Sequence, residues 1–170
     1  MNKYFIDCDL NNFWSDNEYT KNYQSAPVTY DLIEVVEKEL GFKLPQSYIE
    51  LMKTRNGGIP NKTSFATTEE TNWGDRIEIT GIFGIGIDSS AFALCGNNGN
   101  QFWINEWGYP DFGVYICDTP SGGHDLIMLD YRKCGKNGEP EVAHVDQEND
   151  YKLTTIAKNF ETFITGLIGN

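Results

Sequence analysis

The 170-residue chain sets 13 lysines and arginines against 25 aspartates and glutamates, a formal charge of −12 that disfavours nucleic acid and anionic membrane as partners and would steer a basic protein toward it. Hydrophobic residues at 39% and aromatics at 14% exclude a disordered chain, and no apolar run is long enough to form a spanning helix. With no basic-then-apolar leader at the start and no linker inside, the expectation is one cytoplasmic domain over residues 1–170.

In chain order, residues 4–23 mix Phe5, Phe13, Trp14, Tyr19 and Tyr23 with Asn and Asp. Phe13 and Trp14 are costly to leave in water, so a short aromatic-anchored helix is expected over 13–19, with residues 1–27 packed on the domain. Next, Thr29 or Asp31 can cap a helix whose apolar positions Leu32, Ile33, Val36 and Leu40 follow the 3.6-residue repeat, and Gly41 can close it in the left-handed conformation. Pro45 suits the first turn of a second helix with Tyr48, Leu51 and Met52 on its inner face, ended by Asn56-Gly57-Gly58.

Residues 61–74 read as a polar loop, and 76–83 as a strand in which Ile77 and Ile79 alternate with Glu78 and Thr80. Gly81, Gly84 and Gly86 follow without the spacing of a phosphate-binding loop, so they read as strand punctuation. Asp88 can cap a short helix through Leu94, and the aromatic stretch 101–107 reads as a strand. Then come three core strands, 114–118, 125–131 and 140–146, with the turn dipeptide Asn137-Gly138 between the last two, which predicts an antiparallel meander. Val114 and Ile116 fall on one face, Tyr115 and Cys117 on the other; Leu126 and Met128 alternate with Ile127 and Leu129, as suits a central strand covered on both sides. A broad apolar face over 154–168, including Phe160, Phe163 and Leu167, predicts a C-terminal helix packed on that sheet.

Candidate chemistry is sparse. Cys8, Cys95, Cys117 and Cys134 are scattered with no C-x-x-C pair, which points to reduced thiols in a reducing compartment. His124 lies beside Asp125 and near Asp118, and His144 two residues from Asp146; either could form a histidine–carboxylate pair, but no nucleophile motif or metal-ligand spacing accompanies them. The same acids, with Trp103 and Trp107 as stacking platforms, would fit a small hydrolase acting on glycans. The acidic run Asp146 to Asp150 lacks the glycine and distal glutamate of a calcium loop, and neither a metal nor another cofactor is expected.

The ordered motifs are more specific than any single residue. Phe13-Trp14, Val36-Glu37 with Leu40-Gly41, Leu44-Pro45-x-x-Tyr48-Ile49-x-Leu51-Met52, Asn56-Gly57-Gly58, Trp73, Gly84-Ile85-Gly86 and Trp107-Gly108-Tyr109-Pro110 come first. Gly122-Gly123-His124-Asp125-x-Ile127-x-Leu129-Asp130-Tyr131, Gly138-Glu139-Pro140-x-Val142, His144-Val145-Asp146-Gln147-Glu148 and Phe160-Glu161-x-Phe163-Ile164 follow. Together they resemble the SUKH superfamily, in the branch typified by the fungal regulator of cell-wall glucan synthesis, from about Phe13 to Ile168. The resemblance implies an α+β domain with no established catalytic residues. Its bacterial members act as immunity proteins against polymorphic toxins, often nucleases or deaminases, and its fungal members as regulatory scaffolds. An acidic domain without catalytic motifs suits the first role, with a basic toxin as partner. No contact motif carries over from the family, so the acids taken as toxin-binding candidates are Glu69, Glu70, Asp111, Asp118 and Asp125, provided they are exposed.

Overall fold

A computed structural model describes residues 3–88 and 92–169. Its centre is a four-stranded antiparallel sheet in the order β3-β4-β5-β6, formed by β3 (Gly113–Asp118), β4 (Asp125–Asp130), β5 (Glu141–Asp146) and β6 (Lys152–Ala157). A separate hairpin joins β1 (Ser64–Thr71) to β2 (Gly74–Glu78), and the described residues form four α-helices, α1 (Tyr30–Leu40), α2 (Gln46–Thr54), α3 (Asn100–Trp107) and α4 (Phe160–Thr165). The α+β class and the meander are as expected.

Every residue of β4 is buried because apolar layers cover both of its faces. Ile127 and Leu129 join Val114, Ile116 and Val142 against Tyr48, Leu51, Phe160 and Phe163, whereas Leu126 and Met128 join Tyr115, Ala143 and Val145 against Trp103 and Tyr109. Cys117 departs from the expected alternation and packs with the first group. A register shift between Tyr115 and Cys117 inserts a bulge, after which the strand's side chains change sides. That bulged edge is covered: the side chain of Asn100, itself buried at the start of α3, accepts from the Tyr115 N–H at 2.7 Å and donates to the Tyr115 carbonyl at 3.1 Å. The Phe83 N–H donates to the Ile116 carbonyl at 2.8 Å farther along. Pairing both ends of an open edge removes its tendency to template aggregation.

Helix α1 starts as the sequence dictates, with the Thr29 hydroxyl accepting from the Leu32 N–H, and ends at Gly41 with φ 80°. The corner to α2 is held by Glu37, whose carboxylate accepts from the Leu44 N–H at 2.7 Å. Past α2, buried Asn56 bonds both N–H and C=O of Ile85, fixing the Asn-Gly-Gly turn against the later glycines. Gly57 has φ 93°, and a Cβ there would meet the Tyr23 carbonyl oxygen at 2.0 Å, so backbone packing excludes every other residue.

Four expectations are corrected. Residues 101–107 form helix α3, not a strand: Trp103 and Trp107, four apart, share one face with rings 5.5 Å apart, and Gly108 closes the helix in the left-handed conformation. The C-terminal helix is only α4; the stretch before it is strand β6, whose Thr154, Thr155 and Ile156 are β-branched, and Asn159 caps α4 by accepting from the Thr162 N–H. Most of the polar loop expected over 61–74 is strand β1, paired with β2, which itself ends at Glu78 instead of running on to Phe83. Finally, two 3-10 turns, Leu10–Asn12 and Glu18–Asn22, replace the expected helix over 13–19, although Phe13, Trp14 and Tyr23 do pack into the core. The helix expected from Asp88 falls partly on residues 89–91, outside the described residues. The Asn137-Gly138 dipeptide lies in a long connection between β4 and β5, where the left-handed position is taken by Gly135.

Candidate functional site

Antiparallel pairing decides which polar side chains meet at the end of the central sheet. Asp125 lies opposite Asp146, and Ile127 opposite His144, so Asp125 and His144 are diagonal neighbours on one face; Thr154 lies opposite His144 and Lys152 opposite Asp146. This row would project from the apolar core, and the β1–β2 hairpin closes over it. At the hairpin tip the Trp73 indole N–H donates to Asp125 Oδ2 at 2.7 Å.

Asp125 is fully buried and is the hub of the cluster. His144 Nε2 lies 2.7 Å from the same Oδ2, and the Thr119 hydroxyl donates to Oδ1. Burial alone would raise this carboxyl, but the bonds from His144, Ser121, Thr119 and Trp73 outweigh it and hold the pKa down to about 2. Because the carboxylate accepts, Nε2 carries a hydrogen in this contact.

Beside this pair opens a polar cleft of about 330 Å³. It is lined by Glu70, Thr71 and Asn72 of the hairpin together with His144, Asp146, Asn149, Lys152 and Thr154. Of the candidate contact acids, Glu70 lines this cleft and Glu69 is its neighbour on β1; both are exposed. Asp111 is also exposed but precedes β3 at the opposite end of the sheet, where Gly113 pairs with Asp130.

The remaining two candidates turn inward. Asp125 has no exposed surface, and Asp118 accepts from the Tyr23 hydroxyl at 3.0 and 2.9 Å and from the Gly81 N–H at 3.1 Å, tying the N-terminal segment to the sheet edge. Burial pushes the Asp118 carboxyl up to about 6, and the bonds from Tyr23 and Gly81 offset this only in part. The five acids therefore form no single exposed patch.

His124, which could have paired with Asp118 or Asp125, pairs with neither. His124 is exposed, packs edge-on against Trp107, and has Nδ1 3.3 Å from Glu148. The pair that does form, Asp125 with His144, is 19 residues apart in sequence and was accessible only through strand register. Trp103 offers no sugar platform, since it is buried and its indole N–H donates to the Asn98 carbonyl. Among the described residues no group of three or more His, Cys, Asp or Glu side chains is placed to hold a metal ion, and no helix is long and apolar enough to cross a membrane.

The assembled site is thus a polar cleft with two carboxylates at its rim and a carboxylate-oriented imidazole inside. No individual curated protein matches the chain. Residues 27–166, from the segment entering α1 through the end of α4, match the SMI1 / KNR4 family (SUKH-1), and the chain belongs to that family.

Proposed function

We propose that this protein is a cytoplasmic immunity protein, one that binds a polymorphic toxin domain directed at nucleic acid and neutralises it by masking its active cleft. Family membership over residues 27–166 is the observation that carries the reading. The formal charge of −12 supports a basic partner, because opposite fields raise the encounter rate, and nucleic-acid-directed toxins present basic clefts. Glu69, Glu70 and Asp111 are the contact acids with exposed side chains, while Asp118 and Asp125 act indirectly by holding the surface in shape. The protein acts by stoichiometric occupation and not by turnover.

Membership in the same family also supports a second reading, a regulatory module for an endogenous protein partner. The neighbouring reading frame separates the two. A long secreted protein with a variable basic C-terminal domain supports immunity, whereas its absence favours regulation. The direct test is titration of that toxin domain with this protein. Its activity ends near an equimolar ratio on the immunity reading; suppression by a small catalytic fraction, or none at all, overturns it.

A further inference from the structure

We infer that the outward face of α1 is the contact between two copies of this chain, paired antiparallel about a two-fold axis at the level of Val36. The inference stands apart from the immunity reading, since it concerns what the protein does with itself.

Helix α1 is short of partners. Of its eleven residues only Val36 is buried, while Leu32, Ile33 and Leu40 are half-buried. Apolar side chains also stand on the outward side, where Tyr30 is 88% exposed and Val35 50%. A surface helix keeps its apolar stripe toward the core, so a second apolar set on the outward side marks a contact where it continues into neighbouring surface. Here it does continue. A hollow of about 470 Å³ toward α2 is lined by Tyr30, Ile33 and Ile49, and an adjoining one of about 400 Å³ at the C-terminal end of the helix by Gly41 and Phe42. Both share Glu34, Glu37 and Lys43.

Charge selects the occupant. The two hollows are lined by two carboxylates, Glu34 and Glu37, and three ammonium groups, Lys38, Lys43 and Lys53, in a chain whose acids outnumber its bases 25 to 13. Glu37 is already paired with Lys43 at 3.4 Å, and Lys53 with Glu50 at 3.1 Å. Glu34 and Lys38 are left over, both exposed and without an ion-pair partner among the described residues. Of the other exposed acids of α1, Glu39 lies beside the Cys95 thiol, and Asp31 is farther from the axis. A face with one unpaired charge of each sign complements neither a basic nor an acidic protein. It complements itself, and it is where two molecules of charge −12 meet least repulsion.

The register follows from the symmetry. In a two-fold contact, residue i of one copy meets residue j of the other, and the reverse also holds. With antiparallel helices and the axis at Val36, Glu34 of each copy faces Lys38 of the other, which makes two ion pairs. The two Val35 side chains flank the axis. Tyr30 of each copy falls opposite Phe42 of the other, where the hollow at the helix end is large enough for one ring.

Sedimentation equilibrium of the full chain over a rising series of concentrations tests this. The wild type should pass reversibly from monomer to dimer. Glu34→Lys and Lys38→Glu each set like charges opposite one another twice, so each should weaken association at least about tenfold with the thermal midpoint retained. An equimolar mixture of the two variants should associate again, because every acid then faces a lysine. Tyr30→Ala, a change at an exposed position, should also weaken the dimer. A wild type that stays monomeric at every concentration overturns the inference. So does a dimer indifferent to both charge reversals, or a mixture as monomeric as its components. A monomeric wild type whose inhibition of the toxin domain is lost in Glu34→Lys would overturn it too and assign the face to the toxin, leaving the immunity reading intact.

Discussion

Replacing Asp118 by asparagine should stabilise the protein at neutral pH and do nothing at pH 4. Asp118 sits at the end of β3 with its carboxylate largely withdrawn from water, and burial lifts its pKa from 3.8 to about 6 against the pull of the Tyr23 hydroxyl and the Gly81 N–H. A folded-state pKa above the unfolded one means that the native state holds its proton more tightly. Stability is therefore greatest below about 4, falls as pH rises through the window from about 4 to about 6, and carries the full cost above it. A shift of about two units corresponds to about 3 kcal/mol. Asparagine keeps an oxygen to accept from Tyr23 and Gly81 while removing the charge, so it mimics the protonated acid at every pH. Urea unfolding of both proteins between pH 4 and 8, extrapolated to water, isolates the difference, since every other titrating group cancels. The variant should gain up to about 3 kcal/mol at pH 7 to 8, with the gain vanishing near pH 4. A variant that is less stable than wild type at pH 8, or a difference that stays constant from pH 4 to 8, would refute the assignment of Asp118 as a buried charge held at a cost.

Two further outcomes follow from the core. Phe163 of α4 is fully buried and packs at a tilt against Phe65 and Phe160, so Phe163→Ala should cost about 3 to 5 kcal/mol; an unchanged urea midpoint would remove it from the core. All four cysteines should label as thiols in denatured protein prepared without oxygen, fewer than four counting against the reduced state. In native protein Cys117, fully buried and with its thiol pushed up by desolvation, should label last, whereas the partly exposed Cys8 and Cys134 should label first.

What the sequence made legible was the part governed by local rules. The cap at Thr29, the left-handed stop at Gly41, the inner face of α2 and the burial of β4 all follow from periodicity and turn chemistry. The errors arose where a long-range partner decides. Aromatic residues at 101–107 have strand propensity, but Asn100 is fixed on the bulged edge of β3 and the chain leaves it as a helix. The apolar positions of β6 and α4 run together because only Lys158 and Asn159 separate them, and Asn159, the cap, was the overlooked signal. The site was least legible of all. Glu69 and Glu70 read as loop acids and lie instead on a strand, while Asp125 reads as a surface acid and is the most enclosed carboxylate at its end of the sheet. Burial of a strand-end acid depends on whether another element closes over it, and the hairpin that does so is 52 residues away in sequence at its contact.

That closure gives the last prediction. Trp73 and His144 donate to the same oxygen of Asp125, so the hairpin is fastened to the sheet through one carboxylate, and the wall of the cleft that carries Glu70 is positioned by that bond. Trp73→Phe removes the indole N–H while retaining most of the ring's contact. A hydrogen bond to a charged group contributes about 1.5 to 3 kcal/mol, so opening of the hairpin tip should become roughly ten- to a hundredfold more frequent. Hydrogen exchange of the amides in β1 and β2 should accelerate by that factor while β4 keeps the protection of the global core. A second readout bears on the carboxylate. The depressed pKa of Asp125 contributes stability that is present above about 4 and lost as pH falls toward about 2; with one donor gone that pKa rises and the acid-sensitive contribution shrinks. The phenylalanine variant should therefore lose less stability than wild type on going from pH 4 to pH 2. Unchanged exchange in the hairpin together with an unchanged acid profile would show that the tryptophan packs at the tip without fastening it, and the geometry of the cleft would then have to be set by the β1–β2 pairing alone.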